Sequence, residues 1–196
     1  WLGYIDPLRV IVNSPLNIST SNDTVLFNIS LNNAGDKCNY TLTGGVTNYT
    51  MQRNGNRNFN ATNLTIPDGN YLARFYCFDI YGDSNFTSSV NFTLDTVGPL
   101  TNFTNPTETN NTYLTRRYIL VNVTANDSVT GLRNITINLY NSSRNLINST
   151  NLSNSTLYVN FSVSSDGIYY FNATVADNAD NLNSTETRQV TVDTAS

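Results

Sequence analysis

Histidine is absent from this 196-residue chain. That removes imidazole as a general base, as the activator of a serine or cysteine nucleophile, and as a zinc ligand. Lysine occurs once, at Lys37, and glutamate only at Glu108 and Glu186. Charged residues are 12% of the chain, about half the usual ~25%, so hydration must come from something other than side-chain charge. The net charge of −4 and pI of about 4.5 leave no basic footprint for nucleic acid and no polybasic patch for a membrane surface. The longest apolar run falls short of the 18 residues that a membrane-spanning helix needs. No segment keeps helical spacing for three turns. Paired carboxylates for glycoside chemistry remain open in principle, but the 14 acidic residues fall mainly at turns and linkers, which argues against an active site. The expectation is a non-enzyme without a cofactor.

Asparagine and the hydroxyl residues take the place of charge: 34 Asn, and 45 Ser plus Thr. The acceptor pattern Asn-x-Ser/Thr, with x other than Pro, begins at Asn17, Asn22, Asn28, Asn39, Asn48, Asn60, Asn63, Asn85, Asn91 and Asn102. It continues at Asn110, Asn122, Asn126, Asn134, Asn141, Asn148, Asn151, Asn154, Asn160, Asn172 and Asn183, which makes 21. Composition alone would produce roughly 8 such triplets, so the excess points to covalent N-glycans. In 14 of them the middle residue is apolar or Ala, as in Asn28-Ile29-Ser30, Asn91-Phe92-Thr93 and Asn160-Phe161-Ser162. Residues i and i+2 of a strand share one face and i+1 points to the other. These triplets therefore read as out-in-out strand units, with the acceptor in solvent and the apolar residue in the core. The other seven have polar centres and fit loops.

A repeat organises the chain. Asp68-Gly69-Asn70-Tyr71, Asp79 and Asp95-Thr96 return 98 residues later as Asp166-Gly167-Ile168-Tyr169, Asp177 and Asp193-Thr194. A fixed period of this size defines the building block before any residue-level reading. The expected layout is an N-terminal extension or spare strand over 1–6, a first domain over 7–97, and a second over 98–196. Strands are predicted near 8–13, 24–31, 38–43, 46–52, 61–66, 70–79 and 85–94 in the first domain. In the second they are predicted near 100–104, 118–125, 132–140, 144–149, 157–163, 168–176 and 184–193. Short alternating strands separated by turn residues argue an all-β antiparallel sandwich, with a barrel as the alternative.

The Asp-Gly-x-Tyr turn, the apolar strand after it, the Asp-rich turn and the closing Val-Asp-Thr resemble the tandem immunoglobulin-like repeats of bacterial and archaeal surface proteins. The resemblance rests on the last thirty or so residues of each domain and is fullest in the second, at Ala176-Asp177-Asn178-Ala179-Asp180-Asn181. It implies two tandem immunoglobulin-like antiparallel β-sandwiches with a short linker, Thr96-Val97-Gly98-Pro99. It also implies extracellular stalks, adhesins or surface assemblies rather than catalysis, and it puts Tyr71 and Tyr169 where such folds carry a corner tyrosine.

Cys38 and Cys77 are the only cysteines. On neighbouring strands in an oxidising exterior they should pair; two buried free thiols are the alternative. Asp177, Asn178 and Asp180 cluster oxygen donors and make a weak calcium candidate, against the plainer reading of a hairpin turn. The 22 Phe, Tyr and Trp residues mostly alternate with polar neighbours and read as core, with no exposed row distinguishable. Trp1, Leu2, Tyr4 and Ile5 form a short apolar segment, either left over from an upstream domain or free to add as a strand to a neighbouring copy. The chain starts at Trp1 rather than Met, which reads as a mature form or a window cut from a longer protein. The functional expectation is a heavily N-glycosylated structural subunit of an extracellular, cell-surface assembly, archaeal by its acceptor density. Its partners would be copies of itself, joined head-to-tail, or other surface proteins. A cell-surface adhesin or carbohydrate-binding module is the second reading.

Overall fold

The computed structural model describes residues 6–195, so the assembly segment Trp1, Leu2, Tyr4 and Ile5 lies outside the described residues. The chain divides into two compact units, 1–96 and 97–196, and no described segment is helical.

The first unit carries β1 (Val10–Ser14), β2 (Ser19–Thr20), β3 (Val25–Leu31), β4 (Gly35–Thr41) and β5 (Tyr49–Thr50). It continues with β6 (Gln52–Asn54), β7 (Asn58–Asn63), β8 (Gly69–Asp79), β9 (Ser84–Asn85) and β10 (Ser89–Leu94). One sheet runs β1-β3-β7-β6, the other β2-β10-β8-β4-β5 with β9 on β8. Alternation decides what lies between them. Val25, Phe27, Ile29 and Leu31 of β3 face Cys38, Tyr40, Ala73, Phe75, Cys77, Phe92 and Leu94 across one buried cluster. Rings fill much of it: Phe27 stacks on Tyr40 at 4.0 Å and meets Phe92 edge-on at 5.9 Å, arrangements that add to area burial.

The second unit carries β11 (Leu100–Phe103), β12 (Thr112–Leu114), β13 (Tyr118–Asn126), β14 (Leu132–Tyr140) and β15 (Leu146–Leu152). Then come β16 (Thr156–Ser162), β17 (Gly167–Asp177), β18 (Leu182–Ser184) and β19 (Arg188–Val192). Its sheets run β11-β13-β16 and β12-β19-β17-β14-β15, with β18 on β17. The core is mainly aliphatic, built on Ile119, Val121 and Val123, Ile135, Ile137 and Leu139, and Val175, Val190 and Val192.

Pairing is antiparallel except where β2 lies parallel to β10 and β12 parallel to β19. These two short strands were not among the predicted ones. Each follows a proline (Pro15, Pro106) and moves the chain from the first sheet of its unit to the second. The strand expected over 46–52 is split: β5 pairs β4 and β6 pairs β7, so the chain changes sheets between them. The last strand of each unit is also interrupted, at 86–88 and at 185–187.

Candidate functional site

The repeated residues form the same hydrogen-bond frame in both units. Tyr71 donates its hydroxyl to the Pro67 carbonyl at 2.7 Å, and Tyr169 to that of Ser165 at 2.8 Å. Asp68 accepts from the backbone N–H of Thr96 at 3.1 Å and from its hydroxyl; Asp166 does the same for Thr194 at 2.9 Å. These bonds hold the Asp166 carboxyl below the usual carboxylate range, with Arg117 adding a smaller pull in the same direction. Asp79 and Asp177 are buried, at 3% and 0% exposure. The Asp79 carboxylate accepts from the N–H groups of Tyr81 and Asp83, and that of Asp177 from Ala179 and Asn181, at 2.8–2.9 Å. A carboxylate receiving two backbone amides closes a turn that would otherwise leave buried donors unsatisfied. The repeat is therefore a framework of turns.

Cys38 and Cys77 are disulfide-bonded, 4.2 Å apart at Cα, and sit directly opposite each other on β4 and β8. The bridge lies within one sheet and both half-cystines are at 0% exposure.

No acceptor asparagine is buried: 12 of the 21 are exposed and 9 half-buried. The out-in-out geometry holds where the opposite sheet covers the strand, with Ile29, Tyr40, Phe92, Val123, Ile135, Phe161 and Ala173 all at 2% exposure or less. It fails at five centres. Ile18, Tyr49, Leu64, Phe86 and Leu152 are 54%, 39%, 65%, 48% and 44% exposed, because Ile18, Leu64 and Phe86 lie in connections just outside a strand, Tyr49 on a two-residue strand and Leu152 at the end of an edge strand. Some acceptors are tied inward. Asn85 donates from Nδ2 to the Leu8 carbonyl at 2.9 Å, Asn122 to that of Asn105 at 2.9 Å, and Asn63 to the Tyr40 hydroxyl at 3.2 Å.

The turn read as a calcium candidate does not converge on a point. The Asp177 carboxylate is engaged by its own turn, Asn178 donates to the carbonyls of Thr130 and Gly131, and exposed Asp180 pairs with Arg133. Asp127 lies alongside: one of its carboxylate oxygens is within 4.8 Å of one from Asp177, and it accepts the N–H groups of Val129, Thr130 and Gly131. In the first unit a neutral donor takes that place, since Asn33 Nδ2 meets Asp79 at 3.0 Å. Two facing carboxylates are donors of the type that a hard divalent cation takes.

On the outer face of β8, Tyr76, Phe78 and the exposed Phe86 form a ring cluster at 5.4–5.7 Å, with Lys37 4.9 Å from the Phe78 centroid. The rings stand at 46° and 69° to one another, a cluster rather than a flat platform. A shallow groove of about 480 Å³ between β2, β8 and β10 is lined by Asn17, Ile18, Asn70, Leu72, Asn91 and Thr93, none of them charged.

No family model and no curated protein matches the chain. Solved structures do. A marsupial T cell receptor is similar with a TM-score of 0.61 and 9% identity, over 95% of this chain and 73% of that one. Fibronectin(III)-like modules of Clostridium thermocellum CbhA match with a TM-score of 0.49 and 14% identity, over 94% and 93%. The D00-D0 domain of intimin matches with a TM-score of 0.45 and 13% identity, over 93% and 98%. At such identities the likeness shows fold alone. The chain is a tandem pair of immunoglobulin-like β-sandwiches.

Reading the sequence did not single out Asp127 or the exposed ring cluster of the first immunoglobulin-like domain. The cluster had a signal: β8 is apolar at both alternations, with Ala73, Phe75 and Cys77 inward and Leu72, Tyr76 and Phe78 outward. Asp127 had none, because its partner Asp177 is 50 residues away in sequence. Among the described residues no helix is long and apolar enough to cross a membrane.

Proposed function

We propose that this chain is a non-enzymatic, N-glycosylated structural unit of an extracellular surface assembly of archaeal type, its two immunoglobulin-like domains serving as rigid spacers coated with sugar. The observation that carries this reading is that none of the 21 acceptor asparagines is buried and 12 are exposed, in a chain nearly threefold enriched in acceptors. Sugars on these positions supply the hydration that 12% charged residues do not. The protein contacts of such an assembly then concentrate where sugar is absent, at domain ends and at the apolar segment 1–5, which is suited to add as a strand to a neighbouring copy. Head-to-tail contacts of this kind that do not close produce filaments.

Intact-mass measurement and glycopeptide mapping of the protein from its natural host, with negative-stain microscopy of the same material, test the reading. Sugar on many of the 21 acceptors and regular fibres or a lattice are expected. An unmodified mass would overturn it. The ring cluster of Tyr76, Phe78 and Phe86 favours a second reading, an adhesin that holds its ligand on the outer face of β8. Dispersed monomers that bind a glycan array, and lose binding on Phe86→Ala, would support that reading instead.

A further inference from the structure

The two domains treat one edge of the sandwich differently. In the first, the chain leaves β4 after the two-residue β5 and crosses to β7 through β6, so neither sheet ends in a long open strand there. Arg53 and Arg57 stand beside that crossing. In the second domain the chain stays on β14 as the seven-residue β15, pairs with no other strand on its far side among the described residues, and turns directly into β16. β16 is itself the last strand of its three-stranded sheet. Two open edges, each a row of unpaired backbone N–H and C=O groups, thus lie in succession.

Such an edge is a template for pairing with another chain, and proteins blunt it with charge, proline, a bulge or a covering segment. Here most of those devices are missing. From Asn145 to Ser165 there are 21 residues with no charge, no proline and no glycine. The one irregularity of pairing falls at Ile147, beside the hairpin turn, and Asn148 to Leu152 pair without interruption. Leu146, Ile147 and Leu152 are 56%, 47% and 44% exposed. Short segments of high β-propensity and no charge are the ones that associate edge to edge.

The same stretch holds the densest group of acceptors in the chain: Asn148, Asn151, Asn154 and Asn160, all exposed. Register places the first two on opposite sides. Asn148 lies opposite Leu139, on the face that turns toward the core but beyond its rim, and Asn151 opposite Thr136, on the outer face. The Asn151 amide meets Thr136 Oγ1 at 2.6 Å across that open face, and a glycosylated Nδ2 keeps one hydrogen for the contact. Asn154 sits in the turn between the two edges. Sugars at these three positions enclose the free edge from above, below and its end.

We infer that Asn148, Asn151 and Asn154 carry N-glycans whose role is to guard the open edges of β15 and β16 against pairing with a second copy. The inference rests on the glycosylated reading above, and it assigns to these three acceptors a task that the other sites do not share. Unglycosylated, this edge is where copies of the chain stick to one another.

Glycopeptide mapping comes first. A chain with no sugar anywhere defeats the underlying reading and this inference together. A chain with sugar elsewhere but bare Asn148, Asn151 and Asn154 defeats this inference alone. In the glycosylating host, the triple variant Asn148→Gln, Asn151→Gln, Asn154→Gln is compared with a triple at distant exposed acceptors, Asn17→Gln, Asn91→Gln, Asn102→Gln. Sedimentation velocity should show the first at twice the parent's weight-average mass or more, whether the parent runs singly or joined head-to-tail, and the second at the parent's value. Adding Ser149→Lys and Leu152→Lys to the first should restore the parent's mass, because charge replaces sugar as the guard. If the edge triple keeps the parent's mass, or both triples associate alike, the inference is wrong.

Discussion

Replacing both half-cystines, Cys38→Ala with Cys77→Ala, isolates what the disulfide does for the first domain. The bridge closes a loop of 39 residues, and the chain-entropy model gives about 4 kcal/mol for a loop that long. A domain of this size is worth about 5–14 kcal/mol in total, so the loss is a large share of its stability. With about 4–8 °C of melting temperature per kcal/mol in so small a domain, the first transition should fall by roughly 15–30 °C. The second domain holds a full core without any cysteine, so its transition should stay where it is. Differential scanning calorimetry of the full chain separates the two. Both half-cystines are fully buried, so a reductant should act on the native protein only as fast as the first domain opens. A fall of under about 5 °C, or equal falls in both transitions, would refute the assignment of this stability to loop closure.

Tyr169→Phe removes the hydroxyl that binds the Ser165 carbonyl and should cost the second domain about 1 kcal/mol, read as a fall in its denaturation midpoint. Asp177→Ala strips a buried acceptor from the N–H groups of Ala179 and Asn181; at about 1–3 kcal/mol for each buried group left unsatisfied, it should be the more damaging of the two. Because Thr194 holds the Asp166 carboxyl below its usual range, the stability tied to that carboxylate is present at neutral pH and lost as pH falls through the lowered value. The stability gap between parent and Asp166→Asn should therefore narrow on acidification, and a gap that is flat with pH would count against the Thr194 contact. Glycopeptide mapping should find Asn85 and Asn122 largely unmodified, since both are half-buried and their Nδ2 atoms donate to backbone carbonyls.

Legibility followed the range of the interactions. The repeat could be read from its fixed spacing and because its tyrosine and turn aspartate act locally: Tyr71 reaches four residues back, and Asp177 two and four residues forward, whereas the bonds from Asp68 to Thr96 and from Asp166 to Thr194 span 28 residues and only the structure shows them. The period-2 pattern placed β3, β8, β13, β14 and β17 because both flanking strands and a facing sheet agree with it. The short parallel strands β2 and β12 escaped, since their pairing is with residues more than 70 positions away and two or three residues carry no period. The exposed triplet centres escaped for a related reason. Alternation says which side chains share a face; it does not say whether a second sheet stands opposite that face.

From its own residues the chain settled the class of fold, the length of its unit, the turns that frame each unit and the wealth of acceptor asparagines, because all of these depend on neighbours within a few positions or on simple counting. Tertiary structure decided which apolar residues are covered, which acceptor amides are tied down, that Asp127 faces Asp177, and that β15 and β16 end in open edges. Those are properties of pairing and coverage between segments far apart in sequence, where loop closure and sheet packing choose among arrangements that local pattern leaves equal.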